Sequence, residues 1–169
     1  MIGLPSLTDP ILLLKLLVLL GFANGTPIFA TKLLKDRLAA PLDCGLTLAD
    51  GHPLFGAAKT IRGIVVSILC TAVAATVLGL DWTTGATLAA ASMVGDLTSS
   101  FLKRRLGFEV HAQVFGLDQL PEALFPLLFL QSRLHLSAMD IAVGVAAFIL
   151  YELAFSYLLF RLHIRERPF

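Results

Sequence analysis

Between Thr84 and Leu102 the chain is apolar except for one ionisable residue, Asp96, and Ser99, Ser100 and Lys103 follow it at offsets of three, four and seven. In a helix those offsets place all four side chains on one face. A carboxylate inside such a run is costly unless it meets a cation, a partner or a polar cavity, so Asp96 marks a candidate site. Lys103, Arg104 and Arg105 close the run before Gly107 stops the helix. A divalent cation held by Asp96 would then lie about two turns below a ring of phosphate-binding cations, an arrangement that suits a polyphosphate. Magnesium fits this sparse chemistry, because it binds through one or two carboxylates plus substrate phosphate oxygens.

Asp118, with Gln119 beside it, offers a second acid at the start of the fourth apolar stretch, and Glu122 follows one turn on. A short connection joins the third and fourth stretches, so Asp96 and Asp118 are expected to approach each other. The plainer alternatives are that Asp96 pairs with Lys103 to lock helix packing and that Asp118 is a helix N-cap. Glu152, inside the fifth stretch, reads as a buried acid engaged in packing or pairing.

The connection from Thr31 to Arg62 carries PLDCG (Pro41 to Gly45) and DGHPLFGAAKTIRG (Asp50 to Gly63), in which glycines separate isolated charges. Its lysine stands three residues after the second glycine and no strand precedes it, so it is not a nucleotide-binding P-loop. A loop of this length and composition can still fold over a membrane face and grip phosphates. Thr31 to Leu38 is expected to form a short in-plane amphipathic helix. Asn24 and Pro27 stand where an ordinary anchor carries leucines, and they are candidates for a cavity wall. The four histidines have no metal-ligand spacing, and no Ser, His and Asp set marks a hydrolase.

The elements that must position these residues follow from composition. Of 169 residues 57% are apolar and 15% charged, which argues against a water-soluble domain, and a net charge of +1 argues against nucleic acid as partner. Five stretches, about 11–30, 63–80, 84–102, 117–134 and 141–160, are each long enough to cross the roughly 30 Å hydrocarbon layer. The fold expected is therefore an all-α integral membrane protein of five transmembrane helices forming a single domain, with connections at 31–62 and 103–116. Five Lys and Arg lie in the first of these connections, three in the second, and three (Arg161, Arg165, Arg167) in the tail. The opposite side holds Arg133, with Lys15 near that end of the first span. This asymmetry puts the N-terminus outside and the C-terminus in the cytoplasm of a multi-pass cell-membrane protein. Trp82 then sits at the outer interface. No basic residue precedes the first stretch, so a retained helix is expected there instead of a signal peptide. Cys44 and Cys70 read as free thiols.

The segment GDLTSSFLKRR (Gly95 to Arg105), followed by DQL (Asp118 to Leu120), resembles the signature of membrane CTP:lipid-phosphate cytidylyltransferases. With ANGTP (Ala23 to Pro27), PLDCG and FGAAKTIRG in order before it, the chain is most similar to the CDP-archaeol synthase branch. The resemblance implies transfer of a cytidylyl group from CTP to a lipid phosphate, with magnesium, giving a CDP-lipid and pyrophosphate at the cytoplasmic headgroup level. It implies metal-binding roles for Asp96 and Asp118 and matches Ser100, Lys103 and Arg104 to an S-x-x-K-R element. Lys59, Thr60 and Arg62 match a K-T-x-R-G element. On this reading Lys103, Arg104 and Arg105 hold phosphates, Ser99 and Ser100 orient them, and Gln119 supports the nucleotide. Pro121 stands where the family usually has a second acid, with Glu122 next to it. Asn24, Ala89 and Ser92 are expected to border a lateral groove for the lipid chains, and five helices leave so little room around a site that a homodimer is a reasonable assembly. The competing expectation is a non-enzymatic membrane subunit in which Asp96 and Lys103 are a packing pair.

Overall fold

The computed structural model describes residues 9–161 apart from His111, Gln113 and Phe115, with the backbone alone of Leu159 and Phe160; Arg165 and Arg167 lie outside the described residues. Five helices run through it: α1 (Pro10–Leu34), α2 (Ile61–Val77), α3 (Trp82–Arg105), α4 (Gln119–Leu134) and α5 (Ala138–Arg161). α3 packs against α1, α2 and α4, and α5 closes the bundle against α4 and α1. By length and composition α1 and the Ala138–Leu158 part of α5 can cross a membrane, and α2 is apolar but shorter.

Apolar residues face both ways. Leu16, Leu20, Leu88, Leu127 and Phe148 are buried in the core, while Ile11, Leu14, Val73, Val77, Phe129 and Leu150 lie open on the outer surface. A helix that is apolar on every side suits lipid. The interior also holds Ser67, Thr71, Ser92 and Ser99, small polar residues that let helices approach and bond across the bundle.

α1 runs on to Leu34, so the expected separate helix over Thr31 to Leu38 does not form; its first half is the last turn of α1, and a turn at Lys35 follows. The reason lies at Pro27. Proline removes the N–H that would bond to the Ala23 carbonyl, and the Ser67 hydroxyl of α2 donates to that carbonyl instead, at 2.7 Å. The helix therefore continues through the proline. Its end is braced by Arg62, which donates to the carbonyls of Lys35 and Arg37 and to the Thr31 hydroxyl.

Gly95 fixes the crossing of α3 and α4. A Cβ there would meet the Pro121 carbonyl and stand 2.8 Å from the Glu122 backbone nitrogen, so the backbones touch. Gly95→Val must push the two helices apart. We expect a loss of about 2–3 kcal/mol, read as a lower Tm in detergent, with loss of whatever activity depends on residues 118 to 122. Retention of the wild-type Tm would show that the crossing is looser than drawn.

Candidate active site

The connections at one end of the bundle, hereafter the basic end, are ordered by backbone pairing. Leu42 N–H donates to the Lys59 carbonyl and Ile61 N–H to that of Ala40, while Leu54 N–H donates to Leu46 and Leu48 N–H to His52, forming a small hairpin. Asp43 holds the two halves together. Its carboxylate accepts from the backbone N–H of Gly45, Phe55 and Gly56 at 2.9–3.0 Å. Desolvation pushes the Asp43 carboxyl up, but the three N–H bonds outweigh it and leave its pKa below the ordinary aspartate value. Arg105 pins the hairpin to α3: it pairs with Asp50 at 3.1 Å, donates to the carbonyls of His52 and Pro53, and lies over the Phe101 ring.

This scaffold delivers Lys59 to Asp96. The ammonium donates to both carboxylate oxygens of Asp96 at 2.6 Å, across 37 residues of sequence. Asp96 therefore pairs with Lys59 and not with Lys103, which corrects the expectation of an Asp96–Lys103 packing pair. Lys103 pairs with Asp118 at 2.7 Å and also donates to the Ala112 carbonyl. Asp118 occupies the N-cap position of α4 without making a side-chain cap bond; its other oxygen accepts from Val114 N–H. The N-cap expectation for its carboxylate is thus replaced by an ion pair. Arg104 is 2% exposed, lies within electrostatic reach of Asp118 without pairing to it, and leaves its Nε without a hydrogen-bond partner among the described residues.

The remaining candidates frame these groups. Thr60 caps α2 by accepting from Gly63 N–H, the Ser99 hydroxyl donates to the Asp96 carbonyl, and the Gln119 side-chain oxygen accepts from Gly116 N–H. Ser100 is buried on the same α3 face as Asp96 and Lys103. Asn24 donates to Ser92, one turn before Asp96, and so ties α1 to α3.

Two residues gain a place that local spacing does not reveal. Glu122, 6% exposed, has its carboxyl against that of Asp96, with Glu152 close by on α5. The sequence offers Glu122 as a further ligand, as a residue satisfying the start of α4, or as the replacement for the acid missing at Pro121, and does not reveal its setting beside Asp96 and Glu152. Asp43 is visible in the sequence only as the acid of the PLDCG element, with nothing to show what it clamps.

Oxygen donors from carboxylates are the set that magnesium prefers. Among the described residues no three His, Cys, Asp or Glu side chains form a closed metal cluster. Asp96 and Asp118 each carry a lysine ammonium within 2.7 Å, so both candidate metal carboxylates are charge-paired in the structure. The Lys59 ammonium already sits as a cation on Asp96.

Because Asp43 holds Phe55 and Gly56, just before Lys59, Asp43→Ala should free that segment without unfolding the helices. We expect tryptic cleavage at Lys59 to quicken about tenfold, the local opening cost having fallen, while the Tm of the bundle stays close to wild type. The lowered Asp43 pKa implies that this support is complete above the ordinary aspartate range and is lost as pH falls through the lower folded value. Cleavage unchanged by the substitution would remove the role.

A family model described as CarS-like, CDP-archaeol synthase, matches residues 12–169. The CDP-archaeol synthase of Pyrobaculum calidifontis is 33% identical over 157 aligned residues, covering 86% of this chain and 90% of that one. That of Methanopyrus kandleri is 43% identical over 86 residues, 47% of this chain and 50% of its own. A solved structure described as an intramembrane enzyme for archaeal membrane lipids biosynthesis superposes with a TM-score of 0.68 at 30% identity, over 83% of this chain and 90% of that one.

Proposed function

We propose a catalytic arrangement from the premise that the chain belongs to the CDP-archaeol synthase family, whose model covers residues 12–169. The protein transfers a cytidylyl group from CTP to a lipid phosphate, giving a CDP-lipid and pyrophosphate. What supports the assignment of residues is one juxtaposition: the Asp96–Lys59 and Asp118–Lys103 pairs stand at the basic end together with the buried Arg104.

In the transfer an oxygen of the lipid phosphate attacks the α-phosphorus of CTP, a new P–O bond forms, and the bond to the β-phosphate bridging oxygen breaks, so that pyrophosphate leaves. A phosphate monoester is already anionic near neutral pH, and no general base is required. The difficulty is repulsion between two polyanions, which preorganised positive charge offsets. Lys59, Lys103 and Arg104 supply that charge, while Thr60, Arg62, Ser99, Ser100, Arg105 and Gln119 hold the frame around them. Asp96 and Asp118 would hold Mg²⁺, which when bound supplies further charge cancellation and orients the phosphates.

The five helices are read as five spans, with the N-terminus outside and the basic end in the cytoplasm, where CTP is found and the lipid headgroup lies. The basic asymmetry of the connections supports this orientation. The family's name, CDP-archaeol synthase, supports an archaeol-type ether lipid phosphate as the acceptor.

The direct test offers labelled CTP to the detergent-purified protein with a panel of isoprenoid-ether and diacyl glycerol phosphates, with and without Mg²⁺. Label entering the lipid fraction only with Mg²⁺, and most strongly with the ether lipid, is the expected result. A folded protein that labels no lipid under any condition would overturn the assignment.

A further inference from the structure

The exposed apolar face of α1 does not stop where the helix does. Ile11, Leu14, Val18, Phe22, Phe29 and Leu33 lie open along it, within an arc of roughly 100° at 100° per residue. Leu33 is 83% exposed, and Leu38 follows in the turn beyond at 77%. Three cations stand among these last leucines, Lys32, Lys35 and Arg37, all exposed and set against one acid, Asp36.

The turn that carries Leu38 is held in place. Lys35 and Leu38 have φ of 47° and 57°, the left-handed region that glycine takes cheaply and leucine avoids. Arg62 of α2, itself 7% exposed, fixes this path by donating to the carbonyls of Lys35 and Arg37. Glycine at position 38 would relieve the strain. A leucine kept there and turned outward implies an apolar partner outside the chain. Leucines interleaved with cations at the end of a long apolar helix match the boundary of a bilayer, where acyl carbons lie next to phosphates.

We propose that residues 32–38 dock the anionic phospholipids of the leaflet at the basic end, with Leu33 and Leu38 among the first acyl carbons and Lys32, Lys35 and Arg37 on lipid phosphates. The inference rests on the reading of α1 as a membrane span. The partner is bulk lipid around the protein, apart from the phosphate site at Asp96 and Lys59. Leucines alone suit any bilayer; the cations, in excess over Asp36, select anionic headgroups. The docked turn also bears on the reaction groups. Ala40, two residues beyond it, pairs with Ile61, and Leu42 with Lys59, so the depth of the turn in the leaflet sets the depth of Lys59.

The test places a single tryptophan in the Trp82→Phe protein, reconstituted in vesicles of phosphatidylcholine and phosphatidylglycerol. Leu33→Trp and Leu38→Trp report on the turn, and Phe22→Trp on the middle of α1. Lipid brominated near the headgroup should quench the fluorescence of the first two, with acrylamide in the water quenching it little. Phe22→Trp should respond instead to bromine deep in the chains. Full acrylamide access at both 33 and 38 would overturn the docking, whereas a Phe22→Trp protein that no brominated lipid quenches would overturn the span reading beneath it. Spin-labelled lipids then compare phosphatidylglycerol with phosphatidylcholine at the protein boundary. The wild type should favour the anionic lipid, and that preference should fall about fivefold when Lys32→Gln, Lys35→Gln and Arg37→Gln are combined. High salt should weaken it in the wild type as well. A preference that the triple substitution leaves unchanged would overturn the selection of anionic lipid.

Discussion

Asp96→Asn is expected to lower kcat/KM for CDP-lipid formation about a thousandfold while leaving the folded protein intact. Asparagine keeps the shape of the side chain and can still accept from the Lys59 ammonium, which donates to both oxygens in the wild type at 2.6 Å. What it removes is the negative charge. If Asp96 only locked the loop to α3, the neutral residue would preserve most of that contact and activity would fall little. If Asp96 organises charge around transferring phosphates, loss of a preorganised electrostatic partner costs on the order of 4 kcal/mol of transition-state stabilisation. Single-turnover rates with saturating CTP, beside the Tm of the same preparation, separate these outcomes. Near-normal rates in a folded Asp96→Asn protein would sink the catalytic role.

Periodicity reveals one helix face and misses what the rest of the chain brings to it. The spacing of Asp96, Ser99, Ser100 and Lys103 was legible because a helix repeats every 3.6 residues, and the structure keeps these residues on one face. Their partners were not legible. Lys59 reaches Asp96 because residues 40–42 pair with 59–61 and Asp43 clamps Phe55 and Gly56; no local pattern encodes that path. The extension of α1 past Pro27 has the same origin, since the hydroxyl that bonds to the Ala23 carbonyl belongs to another helix, 44 residues away. Arginines on a loop look alike in sequence. In the structure Arg62 braces the end of α1, Arg105 anchors a hairpin, and Arg104 is buried beside Asp118. The apolar stretches that become helices are legible from length and composition, whereas Gly95 as the crossing point of α3 and α4 becomes visible only once the Pro121 carbonyl is seen against it.

At the second ion pair, stability and activity should separate. Lys103 and Asp118 are both largely buried, at 9% and 15% side-chain exposure, and the buried Arg104 lies within electrostatic reach of the same acid. Asp118→Asn leaves the buried Lys103 without its carboxylate and removes the negative charge nearest the buried Arg104, and breaking a buried pair in this way costs about 3–5 kcal/mol. Lys103→Met is milder, because Asp118 keeps the Val114 N–H and the nearby charge of Arg104 and methionine fills the space of the aliphatic stem; a loss of about 1–3 kcal/mol is expected. The double variant should be more stable than Asp118→Asn alone, since only one buried cation then lacks its counter-charge. Activity should not follow that order. All three proteins should lose about a hundredfold or more in kcat/KM, because the double variant recovers packing without recovering the charge that faces the phosphates. Thermal unfolding in detergent and CDP-lipid formation, measured on the same four preparations, decide the matter: activity that tracks Tm through the cycle would make the pair a structural lock, and activity lost throughout while Tm partly recovers places it in the chemistry.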